Sequence, residues 1–151
     1  ITGALTRRAA RVVANDLSKR RSYINAWRHR QDKNLELIVG NFNRAADRMK
    51  ERFDYVTLIG VLEYAPSYIQ EKEPFAAFLE KINGLLKEDG EMLIAIENRL
   101  GLKYFAGCRE DHLGRAFEGI EGYPGGGGVR TFSKAELESL LQTNGYEENE
   151  F

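Results

Sequence analysis

The chain has 151 residues, 42% apolar and 30% charged, with a formal net charge of −1; that is enough to bury a sizeable core and leaves no bulk charge for nucleic acid or a membrane surface. Residues 1–52 carry 13 Lys/Arg against 5 Asp/Glu and the remainder 9 against 18, but the basic residues are scattered along an expected helix with few stacking aromatics, which predicts a solvated face. A single cysteine, Cys108, allows no internal disulfide and suits a reducing, cytoplasmic setting, and no apolar run is long enough to span a membrane.

Residues 1–10, ITGALTRRAA, read as the end of a loop or the first turns of a helix. Residues 11–15, RVVAN, form a short β-rich run closed by Asp16, Leu17 and Ser18, and Asp16 or Ser18 is placed to cap the next helix. That helix is expected to reach about Arg30, with Tyr23, Ile24 and Trp27 on its buried side. Leu35–Val39 predicts a second strand ending at Gly40, Asn41 and Phe42, and a polar helical segment follows to Arg52. The chain is organised around the next run, FDYVTLIGVLEYA at 53–65. Its near-continuous apolar core predicts a strand buried on both faces of a parallel sheet, and Pro66 cannot continue it.

Pro74 sits where helices begin, and Phe75, Phe78, Leu79, Ile82, Leu85 and Leu86 follow as one apolar stripe. Residues 87–90, KEDG, predict a turn with glycine after the helix end, and 91–97, EMLIAIE, a fourth strand ending at Asn98. Residues 99–131 hold nine of the fifteen glycines and no clear period, which predicts a long irregular excursion. Ser133 and Glu136 form a capping box opening a helix with Leu137, Leu140 and Leu141 inward and Gly145 past its end; residues 146–151 would start a further strand. Strands alternating with helices imply one α/β domain, a doubly wound, mostly parallel sheet with helices on both faces.

In order, the segments ITGALT, VVANDLS, LELIVGNF, FDYVTLIGVLEYA, LLKEDGEMLIAIEN and RTFSKAELESLLQTNGY resemble a class I S-adenosylmethionine-dependent methyltransferase, over nearly the whole chain except 99–129. The resemblance implies a Rossmann-like core and S-adenosyl-L-methionine as cofactor. It puts Asp16 where an acidic residue binds the cofactor ribose, two carboxylate oxygens accepting from a diol. Leu17 then lies against the adenine, Asn41 at its amino group and Phe42 over the ring, with Gly60, Val61 and Leu62 beside the methionine part. Each has an ordinary reading too: a helix cap for Asp16, a turn for Asn41, core packing for Phe42. The family's glycine-rich loop and its last two strands are not in the sequence, and there is no initiator Met. The resemblance therefore implies a core that continues beyond Ile1 and Phe151, with the glycine-bearing strand just ahead of Ile1.

Ligands of open α/β sheets bind outside the carboxyl ends of the strands, which directs attention to Glu63 and Glu97. Glu63 is either a cofactor- or substrate-side residue or a solvated loop charge. His112, beside Asp111 in REDHLGRAF, is a candidate general base for a hydroxyl acceptor, with Glu97 a second catalytic candidate. Glu63, Glu97 and Asn98 offer three oxygen ligands suited to Mg²⁺. Members of the superfamily that hold a metal there generally use Asp, so no metal ligand is assigned. Residues 123–128, YPGGGG, are a lid hinge or a flexible loop.

Related enzymes acting on nucleobase amino groups carry an Asn/Asp-Pro-Pro-aromatic motif where this chain reads GVLEYAP. That turns the expectation from nucleic acid to a small-molecule, sugar or lipid-linked acceptor, methylated on oxygen. Two alternatives stay open: a non-catalytic methyltransferase-like binding or scaffolding module of a larger protein, and a nicotinamide-dependent oxidoreductase, which GVLEYA and RTFSKAELESLL fit poorly.

Overall fold

A computed structural model describes residues 1–49 and 52–151. The chain falls into two compact units, Ile1–Lys50 and Glu51–Phe151. Parallel strands cannot be joined by a tight turn, and helical crossovers supply the return in both units.

In the first unit, helix α1 (Thr2–Thr6) precedes strand β1 (Val12–Asp16), helix α2 (Lys19–Arg28), strand β2 (Leu35–Val39) and the short helix α3 (Phe42–Ala46). β1 and β2 pair in parallel, Val12 opposite Leu35 through Asp16 opposite Val39. Ser18 caps α2 by accepting from the Arg21 N–H. The expected burial of Tyr23, Ile24 and Trp27 is not found: Tyr23 is 73% and Trp27 67% exposed, and Ile24 is exposed as well. The inner face is instead Ser18, Ser22, Asn25 and His29, at helical spacing. These polar groups find partners there: Asn25 Nδ2 donates to Thr2 Oγ1 at 3.4 Å, and His29 Nδ1 meets Asp32 Oδ2 at 2.8 Å. The helix expected to reach Arg52 ends at Ala46; residues 50 and 51 lie outside the described residues.

In the second unit, strand β3 (Phe53–Ile59) leads through a single 3-10 turn (Leu62–Tyr64) into α4 (Ala65–Tyr68), α5 (Pro74–Leu85) and strand β4 (Leu86–Ala95). The helix α6 (Leu102–Phe105) interrupts the glycine-rich excursion, and α7 (Lys134–Thr143) follows it. β3 and β4 pair in parallel, Tyr55 opposite Glu91 through Ile59 opposite Ala95. The core gathers Leu58, Leu62, Phe78, Leu79, Ile82, Leu85 and Leu86, so the apolar stripe read for α5 is its packing face. Phe75 meets Phe132 edge-on at 5.0 Å.

β3 is not buried on both faces as expected. Leu58 is buried, whereas Tyr55 is 61% exposed and Ile59 is exposed. Side chains alternate along a strand, and an apolar run does not by itself specify a cover for the second face. The KEDG segment also differs from expectation. Phe53 pairs with Leu86 but Tyr55 with Glu91, so residues 87–90 bulge within β4 rather than forming a turn between helix and strand. A Cβ on Gly90 would lie 2.9 Å from the Phe53 carbonyl oxygen and 3.0 Å from the Lys87 nitrogen. Gly90 is thus required by close approach, not as a helix cap.

The capping box on α7 forms as read: Ser133 Oγ accepts from the Glu136 N–H, and Glu136 Oε2 accepts from the Ser133 N–H at 2.8 Å. Residues 146–151 form no strand; Tyr146 instead donates its hydroxyl to the Leu79 carbonyl at 3.2 Å.

Candidate active site

In the first unit, Asp16 closes β1, and its carbonyl accepts from the Gly40 N–H at 3.0 Å. The ends of β1 and β2 therefore lie side by side, with Asn41 and Phe42 following Gly40 in the chain. The Asp16 carboxylate is already engaged. Its Oδ1 accepts from the Ser18 N–H at 2.7 Å, and the Arg21 guanidinium donates through Nε to Oδ2 at 2.9 Å and through Nη2 to Oδ1 at 3.0 Å. Burial works to raise its pKa, but the Arg21 and Ser18 hydrogen bonds and the Arg21 charge outweigh this and hold the carboxyl below its usual range. Asn41 caps α3, its Oδ1 accepting from the Asn43 N–H at 2.9 Å. Leu17 is exposed and Phe42 half-buried.

In the second unit, Gly60 follows β3 with φ +62°, a conformation that favours glycine, and its N–H donates to the Ala95 carbonyl at 2.9 Å. The chain then turns so that Leu62 enters the core, Val61 stays exposed, and Glu63, only 1% exposed, points inward. The Glu63 carbonyl accepts from the Arg130 N–H at 3.0 Å, and Ser67 donates its hydroxyl to the Gly128 carbonyl at 2.5 Å. These bonds bring the end of the excursion back to the turn after β3.

His112 rides on the same excursion and packs edge-on against Tyr64, ring centroids 5.3 Å apart. Its Nε2 faces Glu63 Oε1 at 3.7 Å and Glu97 Oε2 at 4.0 Å. One ligand atom from each of Glu63, Glu97 and His112 lies within 4.8 Å of the others. Glu63 and His112 are buried, and the Glu97 side chain is 42% exposed. Glu63 is thus no solvated loop charge: burial foremost, with the Glu97 charge, raises its pKa against the opposing effects of its own backbone N–H and His112. Its Oε2 has no hydrogen-bond partner among the described residues.

Behind the imidazole stands Glu110, buried and fully engaged. Its Oε1 accepts from His112 Nδ1 at 2.7 Å and from the Tyr123 hydroxyl at 3.2 Å. Its Oε2 accepts from the backbone N–H of His112 at 2.8 Å and of Leu113 at 2.6 Å. Burial raises the Glu110 pKa, but the Leu113 N–H and the bonds from His112 prevail and keep it below the usual range. Tyr123 in turn meets Thr131 Oγ1 at 2.5 Å, so the two flanks of the glycine run meet at the hydroxyl that bonds Glu110.

The chain matches, over residues 3–149, the family model described as "Methyltransferase domain". It belongs to the methyltransferase-domain family. Among solved structures, the methyltransferase domain is similar to YcgJ protein from Bacillus subtilis, with 15% identity and a TM-score of 0.59 over 95% of this chain and 55% of that one. Mycolic acid cyclopropane synthase CmaA1, crystallised with SAH and CTAB, is 18% identical with a TM-score of 0.58, over 95% and 49% of the two chains. PKMT2 from Rickettsia typhi, in complex with AdoHcy, is 19% identical with a TM-score of 0.53, over 93% and 25%. The chain thus spans about half the length of the first two and a quarter of the third. No curated protein sequence matches it.

Within this methyltransferase domain, Glu63, Glu97 and His112 converge. Asp111, offered beside His112 in the same segment, is engaged by other groups: its Oδ2 accepts from Lys103 at 2.5 Å and from Tyr104 at 2.7 Å. The Oδ1 of Asn98 accepts from the Leu100 N–H at 2.9 Å. Sequence reasoning missed Glu110 and Arg21. A carboxylate two residues before a histidine in a tight turn was the available signal for the first; nothing in the sequence singled out the second.

Proposed function

We propose that the domain transfers the methyl group of S-adenosylmethionine to a hydroxyl oxygen of a small-molecule, sugar or lipid-linked acceptor seated at Glu63, Glu97 and His112. Membership of the methyltransferase-domain family supports the reaction class, and the SAH and AdoHcy bound in two similar structures support the cofactor. Asp16 would accept from the cofactor ribose in exchange for part of its Arg21 contact, with Leu17, Asn41, Phe42, Gly60, Val61 and Leu62 as further cofactor residues. The Leu62 side chain is in the core, so its contribution would be through the backbone.

The observation that carries the acceptor reading is the convergence of three polar side chains. Nε2 of His112 and the carboxylates of Glu63 and Glu97 face one another, and an acceptor that brings hydroxyl donors complements them. In the step, the acceptor O–CH₃ bond forms as the CH₃–S bond breaks; the sulfonium becomes a neutral thioether and the hydroxyl proton leaves to the cluster. The methyl group is already activated, so in-line positioning and exclusion of water supply most of the acceleration.

Methyl-labelled S-adenosylmethionine offered with separate panels of polyols and sugars, lipid-linked sugars, amines and oligonucleotides tests this. Label in ether linkages on hydroxylic acceptors is expected; label only on amines or nucleobases would overturn it.

A further inference from the structure

We propose that Glu63, Glu97 and His112 form a site for one divalent transition-metal ion, taken up through one oxygen of each carboxylate and Nε2 of the imidazole. The argument begins with the tautomer. Glu110 accepts two backbone N–H groups, the Tyr123 hydroxyl and His112 Nδ1, so Nδ1 is the donor and Nε2 is the ring atom left to act as a ligand. Nε2 faces two carboxyl groups at 3.7 and 4.0 Å, beyond hydrogen-bonding distance. A cation at the centre of these three groups would interact favourably with each of them.

Spacing and surroundings agree. Ligands bonded to one ion at roughly 2.0–2.6 Å lie at most about 4–5 Å apart, and these three atoms fall within 4.8 Å of one another. A buried carboxylate normally has its oxygens satisfied, yet Glu63, 1% exposed, keeps Oε2 without a partner among the described residues. The Glu110–His112 bond is the carboxylate–imidazole support that orients metal-binding histidines. One imidazole with two carboxylates favours ions such as Zn²⁺ or Mn²⁺ over Mg²⁺, which prefers oxygen and water. The set differs from the three oxygens offered by the strand ends alone, because His112 comes from the excursion to join Glu63 and Glu97.

What the ion does there rests on the methyl-transfer reading: its open positions would take the acceptor oxygen and ease loss of the hydroxyl proton. His112 would then act as a ligand.

The test is Zn²⁺ and Mn²⁺ binding to the chelator-stripped protein, by calorimetry and by the Mn²⁺ electron paramagnetic resonance signal. One ion per chain is expected, with affinity at least 10-fold weaker in Glu97→Gln and in His112→Gln. Glu97 is half-exposed, so its variant is the one least able to disturb folding; circular dichroism checks both. No stoichiometric ion, or binding unchanged in Glu97→Gln, would overturn the site. Methyl transfer that persists in the stripped protein without ion binding would remove the metal and leave the methyl-transfer reading intact. Specific ion binding without methyl transfer to any hydroxylic acceptor would do the reverse.

Discussion

Nδ1 of His112 lies 2.7 Å from Oε1 of Glu110, and this bond leaves Nε2 as the end of the ring that faces Glu63 and Glu97. Glu110→Gln keeps the size of the side chain but can offer an N–H to Nδ1, stabilising the opposite tautomer. Turnover is expected to fall about 10–100-fold with little change in cofactor affinity. Equal turnover in wild type and variant, with the fold verified by circular dichroism, would show that Glu110 does not set the ring.

Asp16→Ala should weaken S-adenosylmethionine binding by about 1.5–3 kcal/mol for each charged hydrogen bond lost. Because Arg21 already holds this carboxylate, part of that loss is offset in the free protein, and the lower end of the range is expected. Calorimetric titration checks it; an unchanged affinity would remove Asp16 from the cofactor site.

Much of the architecture was legible because local signals and packing agree. Ser133 and Glu136 announced the start of α7 and form the box, and the α5 stripe from Phe78 to Leu85 is its buried face. Glu63, Glu97 and His112 could be placed at one edge because strand ends and a long insertion define such edges. What failed depends on partners distant in sequence. Tyr23, Ile24 and Trp27 make an apolar stripe, but α1 and the segment after α2 supply hydrogen-bond partners to the polar face instead. Glycine at position 90 has the composition of a helix end, and only the register of β3 against β4 reveals the close approach that requires it. Arg21 and Glu110 are ordinary surface residue types whose roles come from three-dimensional contacts.

Gly90→Ala would place a methyl group against the Phe53 carbonyl, where backbone must move. Overpacking of this kind costs about 1–3 kcal/mol, and a chemical-denaturation midpoint should register it. A midpoint at or above wild type would mean that the bulge relaxes freely.

Glu136 links the capping box to Arg99, whose Nε donates to Oε2 at 2.6 Å. Burial opposes ionisation, but the Ser133 hydrogen bonds and Arg99 pull the Glu136 pKa down to about 2 from an ordinary 4.5. A folded-state value below the unfolded one stabilises the fold at pH above about 4.5, and that contribution is lost as the pH falls toward about 2. Allowing for screening at this partly exposed pair, it amounts to about 1–2 kcal/mol. The stability gap between wild type and Glu136→Gln should therefore close between about pH 5 and pH 2. A gap independent of pH would contradict the assignment.

The most direct measurement is methyl transfer by His112→Gln with cofactor binding followed on the same sample. Removing the imidazole at the acceptor cluster should leave S-adenosylmethionine affinity within about twofold while turnover on a hydroxylic acceptor falls at least 100-fold, the lower range for a group that assists proton removal. A variant that binds the cofactor and turns over at the wild-type rate would contradict an acceptor site at Glu63, Glu97 and His112.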